Sequence, residues 1–308
     1  MTGQRIINEL LALFFLLFLV LPAFNPDTVS AEDTYLNERF LKAKIKASLR
    51  FSPNDFGTLL VDFMVNNKFD TKAVDRSGNP QALYFYQANE KIGSYLQTHE
   101  KKDLNIALEA VNAALRHDPD NALLDFLKSY VEHSSGRSGK AYETFKRGCI
   151  KNKFSAYHDA VTQGLISFLN ENDSFNAYNC FYINIYWQKI TLNKDMVVYT
   201  VKTARNYFND PHVPQKNKKV FHGLMCNYLN RKEYSLDLLR STLFLVADNI
   251  VKKAPSQMGV EQCPDKYSAS VNSAAEEAMR ATENYHRTKD LRYLNESLFW
   301  KNFQELSK

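Results

Sequence analysis

An all-α fold is what this sequence predicts, and three observations predict it. The 308 residues include only ten glycines, too few for a chain built on tight β-turns or phosphate-cradling loops, which draw on glycine for positive φ. Apolar side chains recur at helical spacing in segment after segment, and no stretch reads as a run of alternating strands. The connections between these segments are short, as suits antiparallel helical neighbours. With 44% apolar and 13% aromatic residues the chain can bury a real core, which excludes a disordered or collagen-like polymer.

Residues 1–31 read as an address. Met1–Glu9 is a short polar start carrying Arg5, and Leu10–Phe24 is an apolar run broken by Pro22. As a helix the run would rise about 22 Å, short of the ~30 Å hydrocarbon core. Val29-Ser30-Ala31 offers small side chains where a signal peptidase reads them, so cleavage after Ala31 and a periplasmic or secreted mature chain are expected. An uncleaved N-terminal anchor is the alternative, because Glu9 weakens the positive start.

Export permits disulfides among Cys149, Cys180, Cys226 and Cys263, and four cysteines allow three pairings that spacing does not rank. Pairing Cys149 with Cys180 and Cys226 with Cys263 would close loops of about thirty residues, each stabilising by about 3–4 kcal/mol on the chain-entropy argument. Cys149 also falls on an apolar helical position, so a buried free thiol competes with that pairing. The absence of C-x-x-C removes zinc-ribbon and thioredoxin-like chemistry.

Helices follow in order. Residues 32–80 form an N-terminal group. Its first helix carries Arg39, Lys42, Lys46 and Arg50 along one side, a row able to meet anionic headgroups or simply to face water. Phe56, Leu59, Leu60, Phe63 and Met64 make one face of the next helix, with Ser52-Pro53-Asn54-Asp55 as its start signal. Leu104, Ala107, Leu108, Val111, Ala114 and Leu115 make another face, started by Asp103 and stopped by Asp118-Pro119-Asp120-Asn121. Further helices are expected at about 122–133, 138–150, 155–170, 175–190, 194–208, 216–229, 232–253, 268–287 and 290–306. Asp70–Pro80 and Ala254–Lys266 are the least regular stretches.

Internal repetition adds more. Ala107, Val111, Ala114 and Leu115 recur thirty-four residues later as Ala141, Phe145, Gly148 and Cys149, keeping the small–large–small order. The run Ala107–Asn121 (ALEAVNAALRHDPDN) resembles the second helix and closing proline turn of a tetratricopeptide repeat. The resemblance covers roughly Tyr84–Asn152, with Lys153 where a second closing proline would stand. It implies a helical array, an α-solenoid, over residues 81–170, continued by a C-terminal helical region over 171–308. A generic amphipathic helical pair is the plainer alternative.

Motifs for chemistry are missing. Gly136-Arg137-Ser138-Gly139-Lys140 looks like a phosphate loop, but Ser134 takes the first glycine's place and Ala141 that of the metal-binding hydroxyl. Neither a G-x-S-x-G elbow nor an H-E-x-x-H helix occurs. Glu283 and His286 make one E-x-x-H where a di-iron bundle needs two. No cofactor, no metal and no nucleic-acid partner are therefore expected.

The functional expectation is a non-enzymatic, exported scaffold that binds a protein or peptide. By the repeat resemblance, the stripe of Phe126, Tyr130 and His133, with Asn121 at its start, would line a partner-binding groove. Plain core is the alternative for that stripe. Two other classes stay open: an exported enzyme with His212, His222 and Glu261 converging in space, and a membrane-tethered structural component of the envelope.

Overall fold

The computed structural model describes residues 31–157, 194–229 and 246–252, with positions 160, 161, 163, 164, 167, 168, 280, 283, 284, 287 and 288. Side chains of residues 31–40 and 194 are outside that description, as are the chain before residue 31 and Cys180, Cys263 and Glu261. Among the described residues every regular element is helical, as the composition and periodicity predict.

The chain divides into two compact units, Met1–Ala47 and Ser48–Lys308. The described part of the first belongs to α1 (Ala31–Phe51). Ile45 of α1 is buried, while Lys42, Lys46 and Arg50 are exposed. Arg39 belongs to the same row by register, but its side chain is not described. Among the described residues no helix is long and apolar enough to cross a membrane.

In the second unit the helices are α2 (Phe56–Asn66), α3 (Thr71–Asp75), α4 (Pro80–Thr98), α5 (Lys101–His117), α6 (Ala122–Ser134), α7 (Ser138–Cys149), α8 (Lys194–Asn209) and α9 (Gln215–Leu229). Residues 246–252 are also helical. Two expected starts move. Helix α2 begins after Asp55, whose Oδ2 accepts the Thr58 backbone N–H at 2.7 Å, so Pro53 lies in the turn before the helix. Helix α5 begins at Lys101, and Asp103 accepts a bond from Ser94 Oγ at 2.7 Å instead of capping. Irregular Asp70–Pro80 holds the short α3, capped by Asp70.

Helix α2 is buried on every side from Phe56 to Met64, Thr58 and Asp62 included, which marks a central helix and not an amphipathic surface one. A side chain at Gly57 would collide with the Gly164 carbonyl, so glycine permits that close crossing.

Helix α4 packs on α5, α5 on α6 and α6 on α7; α8 touches α6 and α7, and α9 touches α7. The residues that repeat at thirty-four are the packing positions. Ala107, Val111 and Ala114 are buried on α5, as are Ala141, Phe145 and Gly148 on α7. A Cβ on Gly148 would stand 2.8 Å from Phe126 Cε1 and 3.0 Å from the Asp125 Cβ. The small residue is thus a condition of the α6–α7 approach.

The loop after α5 and the loop after α7 join each other. Asn121 and Lys153 form an isolated parallel bridge, with the Ala122 N–H donating to the Lys153 carbonyl at 2.8 Å. Beneath it, Lys153 Nζ and the Tyr157 hydroxyl both donate to Asp118 Oδ2, each at 2.8 Å. Lys153, standing where a second closing proline would be, serves this clasp. The expected helix at 155–170 accordingly starts late: residues 153–157 are extended loop, and Tyr157 has a left-handed φ of 62°.

Cys149 is a free, fully buried thiol, and burial pushes its pKa well above the ordinary value. The closure of Cys149 with Cys180 is therefore not formed, and the buried-thiol alternative holds for Cys149. The remaining pairings involve Cys180 and Cys263, outside the described residues.

Candidate functional site

Helix α6 carries every residue proposed from sequence for the groove, and its sides meet different surroundings. Asn121 is its N-cap, its Oδ1 accepting the Leu123 N–H at 3.1 Å. The same oxygen accepts the Ser155 N–H at 3.1 Å, and Nδ2 donates to the Ser155 carbonyl at 2.8 Å and to the Tyr157 hydroxyl at 3.0 Å. Asn121 is buried and fully engaged in joining the two loops.

Phe126 is buried as well. Its ring stacks on Phe145 at 4.6 Å and meets Phe221 edge-on at 5.8 Å and Phe154 at 6.1 Å. These rings form an aromatic core joining α6, α7 and α9. Asn121 and Phe126 therefore leave the groove as partner contacts: both have 0% exposure, so a partner has no surface of theirs to touch.

Tyr130 and His133 occupy a different side of α6, beside α8. The His133 imidazole is exposed and stacks on the Tyr199 ring at 4.8 Å, and Tyr130 meets Tyr199 at 5.6 Å. Tyr199 joins its hydroxyl to Ser129 Oγ at 2.6 Å, which fixes the ring against α6. Helices α6 and α8 thus contribute one aromatic and imidazole face, on which His133 is exposed, Tyr199 half-buried and Tyr130 buried.

Burial raises the pKa of the Tyr130 phenol, and it does the same for Tyr199 despite the Ser129 and Thr203 bonds that pull the other way. Both stay neutral at ordinary pH; Tyr130 is buried and the Tyr199 hydroxyl is held by Ser129, so what the face offers is the exposed His133 imidazole and the half-buried Tyr199 ring. Sequence reasoning found Tyr130 and His133 and missed Tyr199. No local pattern announces Tyr199, because 70 residues separate it from Ser129.

The third side of α6 is polar and buried. Asp125, Ser129 and Glu132 are each 0% exposed. Asp125 Oδ1 accepts from Arg147 Nη2 at 2.5 Å and Nε at 3.1 Å, and its other oxygen pairs with Lys151. Glu132 Oε2 accepts from Thr144 Oγ1 at 2.6 Å, and Oε1 faces Lys140 Nζ at 3.3 Å. The carboxylates lie inside the α6–α7 hairpin, with Arg147 and Lys140 toward its rim and Lys151 largely buried.

Of the residues weighed for catalysis, His222 and His212 are described and sit in different surroundings. His222 is buried on α9, its pKa held below the ordinary value by burial, with Nδ1 3.6 Å from the Cys226 sulfur. His212 is exposed in the turn after α8, where its N–H donates to Asp210 Oδ1 at 2.9 Å. Glu261 lies outside the described residues. Among the described residues no group of three or more His, Cys, Asp and Glu side chains is placed to hold a metal ion. Comparison with known proteins yields no match to a family model, to a curated protein or to a solved structure.

Proposed function

We propose that the chain is an exported helical-repeat scaffold that holds a protein or peptide segment on the face built by His133 and Tyr199 and backed by the buried Tyr130. One observation carries the reading: helices from separate parts of the chain converge on one face, on which His133 stays open to solvent while stacked on a fixed Tyr199 ring. Rigid rings lose little entropy on binding and suit a partner that presents apolar side chains and backbone amides together. The repeat reading is supported by the clasp, in which Asn121 meets Ser155, a residue separated from it by 34 positions, the period of the sequence repeat. The proposed compartment is the periplasm or the secreted space, after cleavage near Ala31. The exposed Lys42, Lys46 and Arg50 would add weak attraction to anionic headgroups.

A photo-crosslinking residue at His133 tests the proposal, with one at the exposed Glu109 of α5 as control. Partner adducts are expected from position 133 and not from 109. His133→Glu and Tyr199→Ala are expected to lose the partner while the helical signal stays. Equal adducts at both positions, or capture unchanged in the two variants, would remove this face from the function.

A further inference from the structure

The second half of helix α1 presents two rows side by side to solvent. At about 100° per residue, Lys42, Lys46 and Arg50 occupy one arc of the helix, and Ala43, Ala47 and Phe51, each one position later, occupy the adjoining arc. All six are exposed, and the buried Ile45 lies on the opposite side. Phe51 is 88% exposed, whereas the next most open of the large apolar side chains described, Ile150, is 52% exposed. The Ser52 N–H donates to the Ser48 carbonyl at 2.8 Å, which keeps Phe51 in helical register, so its exposure is built into the helix end.

The charge of this face is of one sign. No Asp or Glu occurs between Glu38 and Asp55, while Arg39, Lys42, Lys44, Lys46 and Arg50 all fall there. Among the described residues no carboxylate pairs with Lys46 or Arg50. A cation row alone is ordinarily a solvated face, and a single open phenylalanine alone names no partner. Together they narrow the choice. A nucleic-acid backbone answers the cations and leaves Phe51 in water, and an apolar protein groove takes Phe51 but pays to desolvate the cations. A bilayer interface takes both, because headgroup phosphates meet the cations while the acyl boundary just beneath them receives the ring.

We propose that the second half of α1 docks into the interface of an anionic bilayer, with Lys42, Lys46 and Arg50 on the headgroups and Phe51 inserted beside them. Ala43 and Ala47 lie between the cations and the ring, and their small side chains let the helix lie close to the surface. Three cations and one ring make a reversible contact and not a permanent anchor. The proposal deepens the headgroup attraction named above and rests on the exported reading for the membrane it meets.

Co-sedimentation of the mature chain with phosphatidylglycerol vesicles, set against phosphatidylcholine vesicles, tests this. Binding to phosphatidylglycerol alone is expected, weakened about thirtyfold by Lys46→Gln with Arg50→Gln, weakened about tenfold by Phe51→Ser, and reduced by added salt. Lys101→Gln with Lys102→Gln removes the same charge from exposed positions at the start of α5 and should leave binding nearly unchanged. Phe51→Trp should show a blue shift of emission on adding vesicles, read as the difference from the unaltered chain. The substituted side chains are exposed, so circular dichroism should not change. Tyr199→Ala, expected to lose the partner, should keep vesicle binding, so a failure of the scaffold face and a failure of the membrane face are told apart. Absence of binding to phosphatidylglycerol, equal losses in the two cation pairs, or a Phe51→Trp emission that vesicles do not shift overturns the proposal.

Discussion

On α5 the helix-facing positions are Ala107, Ala110, Val111, Ala113 and Ala114, all buried; thirty-four residues on, α7 holds Ala141, Thr144, Phe145, Arg147 and Gly148. The two hairpins keep one backbone period and differ in chemistry. In α4–α5 aliphatic packing is joined by one buried acid, Asp103, which accepts from Ser94 Oγ. In α6–α7 a larger Phe145 is accommodated by a smaller Gly148, against which the Phe126 ring packs, and a polar strip of Asp125, Ser129 and Glu132 replaces part of the apolar contact. Buried acid is thus common to both hairpins, and in α6–α7 it is paired with Arg147, Lys151 and Lys140. Buried ion pairs are at best a weak source of stability, because desolvation consumes most of the Coulombic gain.

The largest expected effect breaks the second hairpin and spares the first. Phe126→Ala removes a ring that touches Phe145, Phe154 and Phe221, and its cost should be about 3–5 kcal/mol in denaturant unfolding. His133→Ala, on the same helix but exposed, should stay within about 0.5 kcal/mol. Comparable losses in the two variants would mean that the aromatic core and the open face are not distinct. The same pair of variants decides whether loss of a partner follows from surface or from core.

A middle-sized effect sharpens the chemical contrast. Thr144 stands where α5 has Ala110, and Thr144→Val deprives Glu132 Oε2 of its donor. The cost should be about 1–3 kcal/mol, the penalty for a buried acceptor left without a partner. Glu132→Leu combined with Thr144→Ala gives α7 the residue of α5 and removes the acid, while the mostly exposed Lys140 returns to water. That double variant should recover the loss of the single one. A thermal-melt double-mutant cycle with strictly additive losses would show that the strip does not act as one network.

Much of this organisation is legible in the sequence. The period predicts α6, α7, α8 and α9 to within about two residues, because local spacing and caps such as Asn121 set those boundaries. It also finds Ala114 and Gly148 as packing positions. The clasp is hidden, since Lys153 reads as a degraded proline site and Asn121 as an ordinary cap until the two loops are seen together. The groove stripe fails in part for a physical reason. On a helix packed on more than one side, Phe126 and Tyr130 share a register face but not a neighbour: one meets α7 and α9, the other α8. Periodicity reports that a residue is apolar-facing and cannot report which surface covers it.

The smallest expected effect concerns pH and again divides the two regions. Both histidines at the ends of α4–α5, His99 and His117, are exposed, whereas His222 is buried on α9 against the second hairpin. Burial holds the folded pKa of His222 below its ordinary 6.5. Between the folded pKa and 6.5 the unfolded chain therefore binds the proton that the folded chain refuses, so stability rises with pH across that window. The contribution is complete above 6.5 and is lost as pH falls through the folded value. Unfolding midpoints measured at about pH 7.5 and about pH 5.5 should separate less in His222→Gln than in the unaltered chain. An unchanged separation in His222→Gln would show that the acid response does not come from this buried imidazole.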